Sequence, residues 1–321
     1  MRVFICEYVT SGGVRDKPLS EALLPEGTLI RDALLADVEE LPGAVVLLAH
    51  DDRLPAPAAD SVPVRAGDDV AAIWRALAAS ADVVWPVGPE TEGILGRMLA
   101  FFDTGLRRVV GTAEPALSIA SSKLATARHL AAAGIPCVPT VALADLPADW
   151  TFPLVTKPDH GAGCFEVRAW PDRSALPQAA GLVAQPFVPG AAASLTLLVR
   201  PDGVSLLAAN HQHLREMVGV FCLSGLTVGA IADADGSLAA LGRRVAEALP
   251  GLSGIVGVDL VLTADGPVVV EVNPRVTTAY AGLHAALGVN PAAFIPELTP
   301  AGRPPSLPLL PRARPVEVMI R

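Results

Sequence analysis

The chain has 321 residues, 51% of them hydrophobic, and a formal net charge of -9 with a pI near 5.1. That length gives room for two or three packed units, and an acidic surface excludes nucleic acid and anionic membranes as partners, which leaves small molecules. Apolar runs are all interrupted short of the roughly 18 residues a membrane span requires. Four cysteines without CxxC spacing give neither a zinc site nor a disulfide framework, so a cytoplasmic location is expected.

The opening MRVFICEYV carries an acid within seven residues and no small-residue cleavage site, so it reads as a first strand rather than a signal peptide. Strand patterns over 2–9, 44–50 and 82–87 alternate with helix patterns over 26–41, 68–79 and 90–102, which predicts a parallel, helix-covered α/β sheet. The proline-rich DDRLPAPAADSVP reads as a loop without chemistry. EYVTSGG follows the first strand, at the carboxyl edge where open sheets bind ligands, and its glycine pair serves equally well as a plain turn.

Beyond residue 111 the pattern changes. A helix over about 121–133 opens SSKLATARHLAAAG, with Ser121 or Ser122 as N-cap and Gly134 as the stop. Short strands over 151–158 and 181–190 around the loop DHGAGCFEV predict a small lid-like α+β unit. Strands in SLTLLVR and GVSLLAAN, a helix over 238–249 and the strand pair GIVGVDLVL and PVVVEVN follow, before a proline-rich, irregular tail ending in a VEVMI strand.

The last strand pair carries the strongest chemistry. Glu271, Asn273 and Arg275 occupy alternate positions in VVVEVNPR, so a strand would project them to one face. If Ala264, Asp265 and Gly266 form a three-residue loop, Asp259 faces Glu271 directly, whereas a two-residue loop turns Asp259 away unless a bulge intervenes. Opposed carboxylates call for a cation between them, and the bland alternative is a strand end at the solvent edge.

Only three lysines, Lys17, Lys123 and Lys157, stand against 21 arginines. Lys157 ends a strand before His160-Gly161-Ala162-Gly163, where glycines let backbone N–H groups approach an anion. Lys123 occupies the first turn of its helix, a poor place for a cation unless an anion is near. The bland reading of each is a surface lysine.

This order of elements resembles the ATP-grasp superfamily of carboxylate-amine ligases from Ser121 onward, preceded by a Rossmann-like pre-ATP-grasp domain. The resemblance implies a 1–112 pre-ATP-grasp α/β domain and a 113–321 ATP-grasp domain with a lid over about 138–188. It implies ATP phosphates held by Lys123, Lys157 and Gly161, Ala162 and Gly163, and adenine at the hinge Gln185, Pro186, Phe187 and Val188. It further implies Mg2+, or Mn2+ in its place, on Asp259, Glu271 and Asn273, with Lys157, Glu271 and Arg275 as catalytic residues. One departure is the lack of an acid beside the hinge, where Pro186 and Ala191-Ala192-Ala193 stand instead of the residue that contacts the ATP ribose.

EYVTSGG, PVGPETEGIL and NPRVTTAYAGL are more specifically similar to ligases that join L-glutamate to tyramine in methanofuran biosynthesis. That resemblance implies L-glutamate and tyramine, or tyrosine, as substrates, with a homodimer as an expectation. Substrate contacts are expected from Glu7, Tyr8, Ser11, Gly12, Glu90, Thr277, Thr278 and Tyr280, with packing as the other reading of both tyrosines, and Gln212 in NHQHL is expected to face nucleotide or substrate. A ligase for other amino acids or a dipeptide, and a non-catalytic ATP sensor, are the alternatives.

Overall fold

A computed structural model describes residues 1–58, 60–164, 166–299, 303–307 and 313–320. Two sheets organise it. The first consists of β1 (Arg2–Glu7), β2 (Val45–Asp51), β3 (Val62–Val64), β4 (Val83–Val87) and β5 (Arg108–Val109), all parallel, in the order β3-β2-β1-β4-β5. Its central strands are apolar on both faces because helices cover both, as parallel sheets require. Val3 and Ile5 of β1 pack toward Ile30, Leu34 and Val38 of α1 (Leu23–Glu39), whereas Phe4 and Cys6 face α2 (Val70–Ala79) and α3 (Ile94–Phe102) through Trp74, Met98 and Phe102.

The first crossover passes through a single π-type turn over Val9–Gly13, so EYVTSGG takes its turn reading. Gly12 sits at φ +89, and a Cβ there would come within 2.8 Å of Val64, so both conformation and packing require glycine. Two expected boundaries move. The expected 90–102 helix splits into a 3-10 turn at Thr91–Gly93 and α3, because Glu92 and Gly93 adopt positive φ, and the proline-rich loop yields β3 at its end.

Helices α4 (Ala116–Ala120) and α5 (Lys123–Ala132) then lead into β6 (Val141–Ala142), β7 (Leu154–Pro158), β8 (Arg168–Trp170) and β9 (Leu182–Pro186). The long antiparallel strands β10 (Ala191–Arg200), β11 (Gly203–Met217) and β12 (Val220–Val228), the helix α6 (Ser237–Ala248), and β13 (Gly254–Thr263) and β14 (Gly266–Asn273) follow. Last come α7 (Tyr280–Leu287) and β15 (Val316–Met319), which pairs with β12. The second sheet runs β14-β13-β10-β11-β12-β8-β7-β9-β6, and the small β6–β9 unit joins the longer strands where β8 meets β12, with Val220 paired to Arg168. Helix α4 has no counterpart in the expected pattern, and residues 300–302 and 308–312 of the proline-rich tail lie outside the described residues.

The two sheets share one apolar core through α1 and α7, where Trp85 meets the Tyr280 ring edge-on with centroids 6.0 Å apart. A polar clasp reinforces this seam, since His284 Nδ1 lies 2.7 Å from Asp37 Oδ1 and Asn290 Nδ2 donates to the Asp37 carbonyl at 2.7 Å.

At the carboxyl edge of the first sheet, Asp51 has no exposed side-chain surface and accepts from Arg53 Nε at 2.8 Å. Arg53 also donates to the carbonyls of Lys17 and Val14, which ties the chain beyond the π-type turn to β2. Burial pushes the Asp51 pKa up, but the Arg53 and Arg15 contacts outweigh it and hold the carboxyl below its usual range. The pair therefore stabilises the fold above the unfolded carboxyl pKa of about 4 and is lost as pH falls through the lower folded value. Asp51→Asn is expected to lower stability by about 3 kcal/mol at pH 7, with the gap to wild type closing below about pH 4 in denaturant titrations.

Candidate active site

The turn between β13 and β14 contains only Ala264 and Asp265, with Thr263 pairing to Gly266, so the expected three-residue loop is corrected to two. The register then shifts between Asp259 and Leu260, leaving Val270 as a bulge, and Asp259 faces Glu271 after all. Asn273 donates from Nδ2 to Asp259 Oδ2 at 3.2 Å, which places the three polar side chains together. Arg275 lies beyond the strand end and is not a strand residue.

Glu271 is the electrostatic hub. Lys157 Nζ lies 3.3 Å and Lys123 Nζ 3.5 Å from its Oε2, and both lysines are buried, whereas Lys17 is exposed. Lys157 comes from β7. Lys123 comes from the first turn of α5, whose N-terminus is capped by Ser122 Oγ on Ala125 N–H and by Asp159 Oδ1 on Leu124 N–H. Asp159 thereby fastens the segment leading into the glycine loop to this helix, and Lys123 Nζ donates to the Gly161 carbonyl at 2.8 Å.

The charges distribute unevenly. Burial raises the Glu271 carboxyl, but Lys123 and Lys157 overcome this and hold it ionised well below the usual range. Burial and the facing Glu271 charge push Asp259 up. Burial pulls Lys157 down despite Glu271. Two opposed carboxylates and an amide oxygen form an oxygen donor set that fits a divalent cation, which would let Asp259 ionise, and the glycine loop beside them offers backbone N–H groups to a phosphate. Among the described residues no group of three or more His, Cys, Asp or Glu side chains is assembled for a metal.

These groups line a cleft of about 480 Å³ between the β6–β9 unit and the β10–β14 strands. Gly161, Ala162 and Gly163 border it, as do Pro186, Phe187 and Val188, and the Phe187 ring stacks with Phe221 at 6.4 Å. Gln185 borders it too, its amide committed to Thr140 Oγ1 at 2.8 Å, and Gln212 faces it and donates to Asp259 Oδ1 at 2.9 Å. Thr277 and Thr278 are also at the wall.

Other expected substrate residues are placed elsewhere. Tyr280 is fully buried in the core of α7, because the helix it opens turns its ring onto Trp85. Glu7 is buried, accepting from the Thr10 N–H and hydroxyl at 2.7 Å each, so it caps its own turn. Tyr8 packs edge-on against Trp74, Ser11 is buried with its carbonyl accepting from Trp74 Nε1, and Gly12 closes onto Val64. Glu90 is buried behind the cleft and ion-pairs with Arg275, whose Nη2 donates to Oε2 at 2.9 Å and whose Nε lies 2.9 Å from Oε1. Glu90 is thus a positioning partner for the arginine.

Glu26 is the residue that sequence reasoning missed. It borders the cleft from the first turn of α1, and its Oε2 accepts from the Thr278 hydroxyl. An acid in a first helical turn is ordinarily explained by the helix dipole, which hides any further role.

Residues 120–279 match the ATP-grasp domain model and residues 44–117 the pre-ATP-grasp 3 domain model. The chain belongs to the ATP-grasp superfamily of carboxylate-amine ligases. Tyramine–L-glutamate ligase of Methanocaldococcus jannaschii is 25% identical over 290 residues, covering 88% of this chain and 84% of that one. The crystal structure of an ATP-grasp superfamily protein from Archaeoglobus fulgidus superposes with a TM-score of 0.75 at 21% identity, over 99% of this chain and 92% of that one. L-amino acid ligase from Bacillus licheniformis gives 0.60 at 18% identity, over 90% and 71%. Enzymes of the ATP-grasp superfamily bind ATP and divalent metal ions. No helix among the described residues is long and apolar enough to cross a membrane.

The Glu90 ion pair fixes where the Arg275 guanidinium points, and if Arg275 serves the reaction, a displacement of about 1 Å lowers the rate roughly 10²-fold. Glu90→Gln, which keeps size and removes the charge, leaves Arg275 beside a neutral amide and is expected to lower stability by about 3 kcal/mol and, in protein that is still folded at the assay temperature, to reduce ADP formation by about that factor. An unchanged rate of ADP formation would show that Arg275 needs no such support.

Proposed function

We propose that this ATP-grasp ligase joins the side-chain carboxylate of L-glutamate to the amine of tyramine, or of tyrosine, as a step of methanofuran or methylofuran biosynthesis. The observation that carries the reading is the Asp259–Glu271 pair with two buried lysines on Glu271, because it assembles cation and phosphate ligands in one cleft. The relationship to the M. jannaschii tyramine–L-glutamate ligase over most of both chains supports the substrate pair.

In this reading residues 1–112 form the pre-ATP-grasp domain and 113–321 the ATP-grasp domain, whose lid over about 138–188 closes on ATP. Gln185 to Val188 receive the adenine and Gly161 to Gly163 the phosphates. Asp259, Glu271 and Asn273 would hold Mg2+, or Mn2+ in its place, and the bound cation would supply neutralisation of the charge on the transferred phosphoryl group. The glutamate side-chain carboxylate attacks the γ-phosphorus, giving an acyl phosphate and ADP. The amine then attacks the acyl carbon, and phosphate leaves with the proton that the attacking nitrogen gives up. Lys123, Lys157 and Arg275 stabilise the negative charge along this path, so catalysis is positioning and electrostatics without a side-chain nucleophile. Closure of the glycine loop keeps water from the acyl phosphate.

Purified protein with ATP, Mg2+ and L-glutamate is expected to release ADP steadily only when tyramine or tyrosine is added, with a product of the mass of the glutamyl amide. Release with other amino acid pairs but not this one would move the chain to a general amino acid ligase, the activity that names the B. licheniformis protein of similar fold.

Ala192 borders the cleft in place of an acid on β10, and this observation favours a second reading, an ATP sensor that binds without turnover. Glu271→Gln separates the two. The ligase loses turnover by about 10²-fold or more with this change, since a ligand to transition-state charge is removed. A sensor retains its nucleotide response, read by ATP-induced thermal stabilisation without ADP release by either protein.

A further inference from the structure

We propose that Glu26 receives an ammonium group of the substrate and is thereby a specificity-determining residue of the cleft, an inference that rests on the ligase reading above. The argument starts from the partners of each acid near the cleft. Glu271 is neutralised by Lys123 and Lys157. Asp259 accepts from the amides of Gln212 and Asn273. Glu90 is paired with Arg275.

Glu26 stands apart from these. It borders the cavity, and the Thr278 hydroxyl on Oε2 is its side-chain hydrogen-bond donor. Among the described residues no lysine, arginine or histidine lies within 4.0 Å of its carboxylate. Its Oε1 is directed at the glycine loop, where a Cβ on Gly163 would approach it to 3.1 Å. The acid therefore sits where the glycine loop meets the segment following β14, beside the arginine proposed to serve phosphoryl transfer.

Burial raises the Glu26 pKa, and the hydroxyl and the more distant Arg275 only partly offset this. A carboxylate held in a half-buried cleft with one neutral donor is satisfied by a cation that arrives with the ligand. A primary ammonium fits, because its three donors can bridge Oε1, Oε2 and a neighbouring carbonyl. Both sources of that chemistry occur in the proposed reaction, the α-ammonium of the amino acid that supplies the carboxylate and the acceptor amine before it loses its proton.

The test is steady-state kinetics of full-length Glu26→Gln beside wild type. A charge-assisted hydrogen bond to ammonium predicts a rise of about 10- to 100-fold in KM for the ammonium-bearing substrate, with KM for ATP within about 2-fold of wild type. Glutarate, which is L-glutamate without its α-ammonium, distinguishes the sources. If Glu26 holds the α-ammonium, wild type prefers L-glutamate to glutarate and the variant loses that preference. If it holds the acceptor, the preference persists while KM for tyramine or tyrosine rises.

Glu26→Asp is expected to recover part of the effect, and Thr278→Val, which removes the hydroxyl that orients the acid, to raise the same KM by a smaller factor. Wild-type KM values for both amines together with an unchanged glutamate-to-glutarate ratio in the Glu26→Gln protein would overturn the proposal, as would an equal rise in KM for ATP. Thermal stabilisation by amino acids against their desamino analogues gives the same comparison without turnover. Should wild type form no glutamyl amide, the substrate reading fails, and loss or retention of that binding preference in Glu26→Gln still decides the role of Glu26.

Discussion

Two carboxylates that face each other across a β-ladder are unfavourable unless positive charge is brought to them, and at the β13–β14 hairpin two lysines from other elements bring it. Lys123 and Lys157 reach one oxygen of Glu271 from two different elements, a helix start and a strand end. Each would be costly to bury alone, and each is buried here because the other partners are present. The glycine loop, the α5 cap and the sheet that carries Asp259 all converge on this charge cluster.

The N-terminal unit contributes to the same region through acids on α1 and after β4. Glu90 fixes Arg275, Glu26 binds Thr278, and Asp37 meets His284. All three target the short stretch from the end of β14 into α7, so the N-terminal unit, which reaches the cleft through Glu26, anchors the segment that follows β14. The shared apolar seam of α1 and α7 supplies the bulk of the attachment, and the polar contacts set its register.

The near absence of lysine elsewhere gains a physical meaning from these positions. The two buried lysines converge on one carboxylate oxygen, a geometry that suits compact ammonium groups and would crowd two planar guanidinium forks. Arginine is used where a fork is needed, at Arg275 on Glu90 and Arg53 on Asp51, both with two nitrogens engaged on a carboxylate.

The alternation of strands and helices in the first unit was legible in the sequence, which also narrowed the α5 cap to two serines and singled out Asp259, Glu271, Asn273, Lys123 and Lys157 as candidates, because periodicity, capping chemistry and scarce residue types are local properties. The facing of Asp259 and Glu271 was legible only as a condition on the turn. The tertiary structure met that condition by another route, a two-residue turn with a bulge at Val270, since bulges answer to packing on both faces of a strand rather than to any local residue pattern. Burial of Tyr280, commitment of Glu90 to Arg275 and the arrival of Glu26 at the cleft were decided by packing alone. Each depends on residues far apart in sequence, up to 252 positions for Glu26 and Thr278, and no spacing along one chain encodes which acid meets which partner.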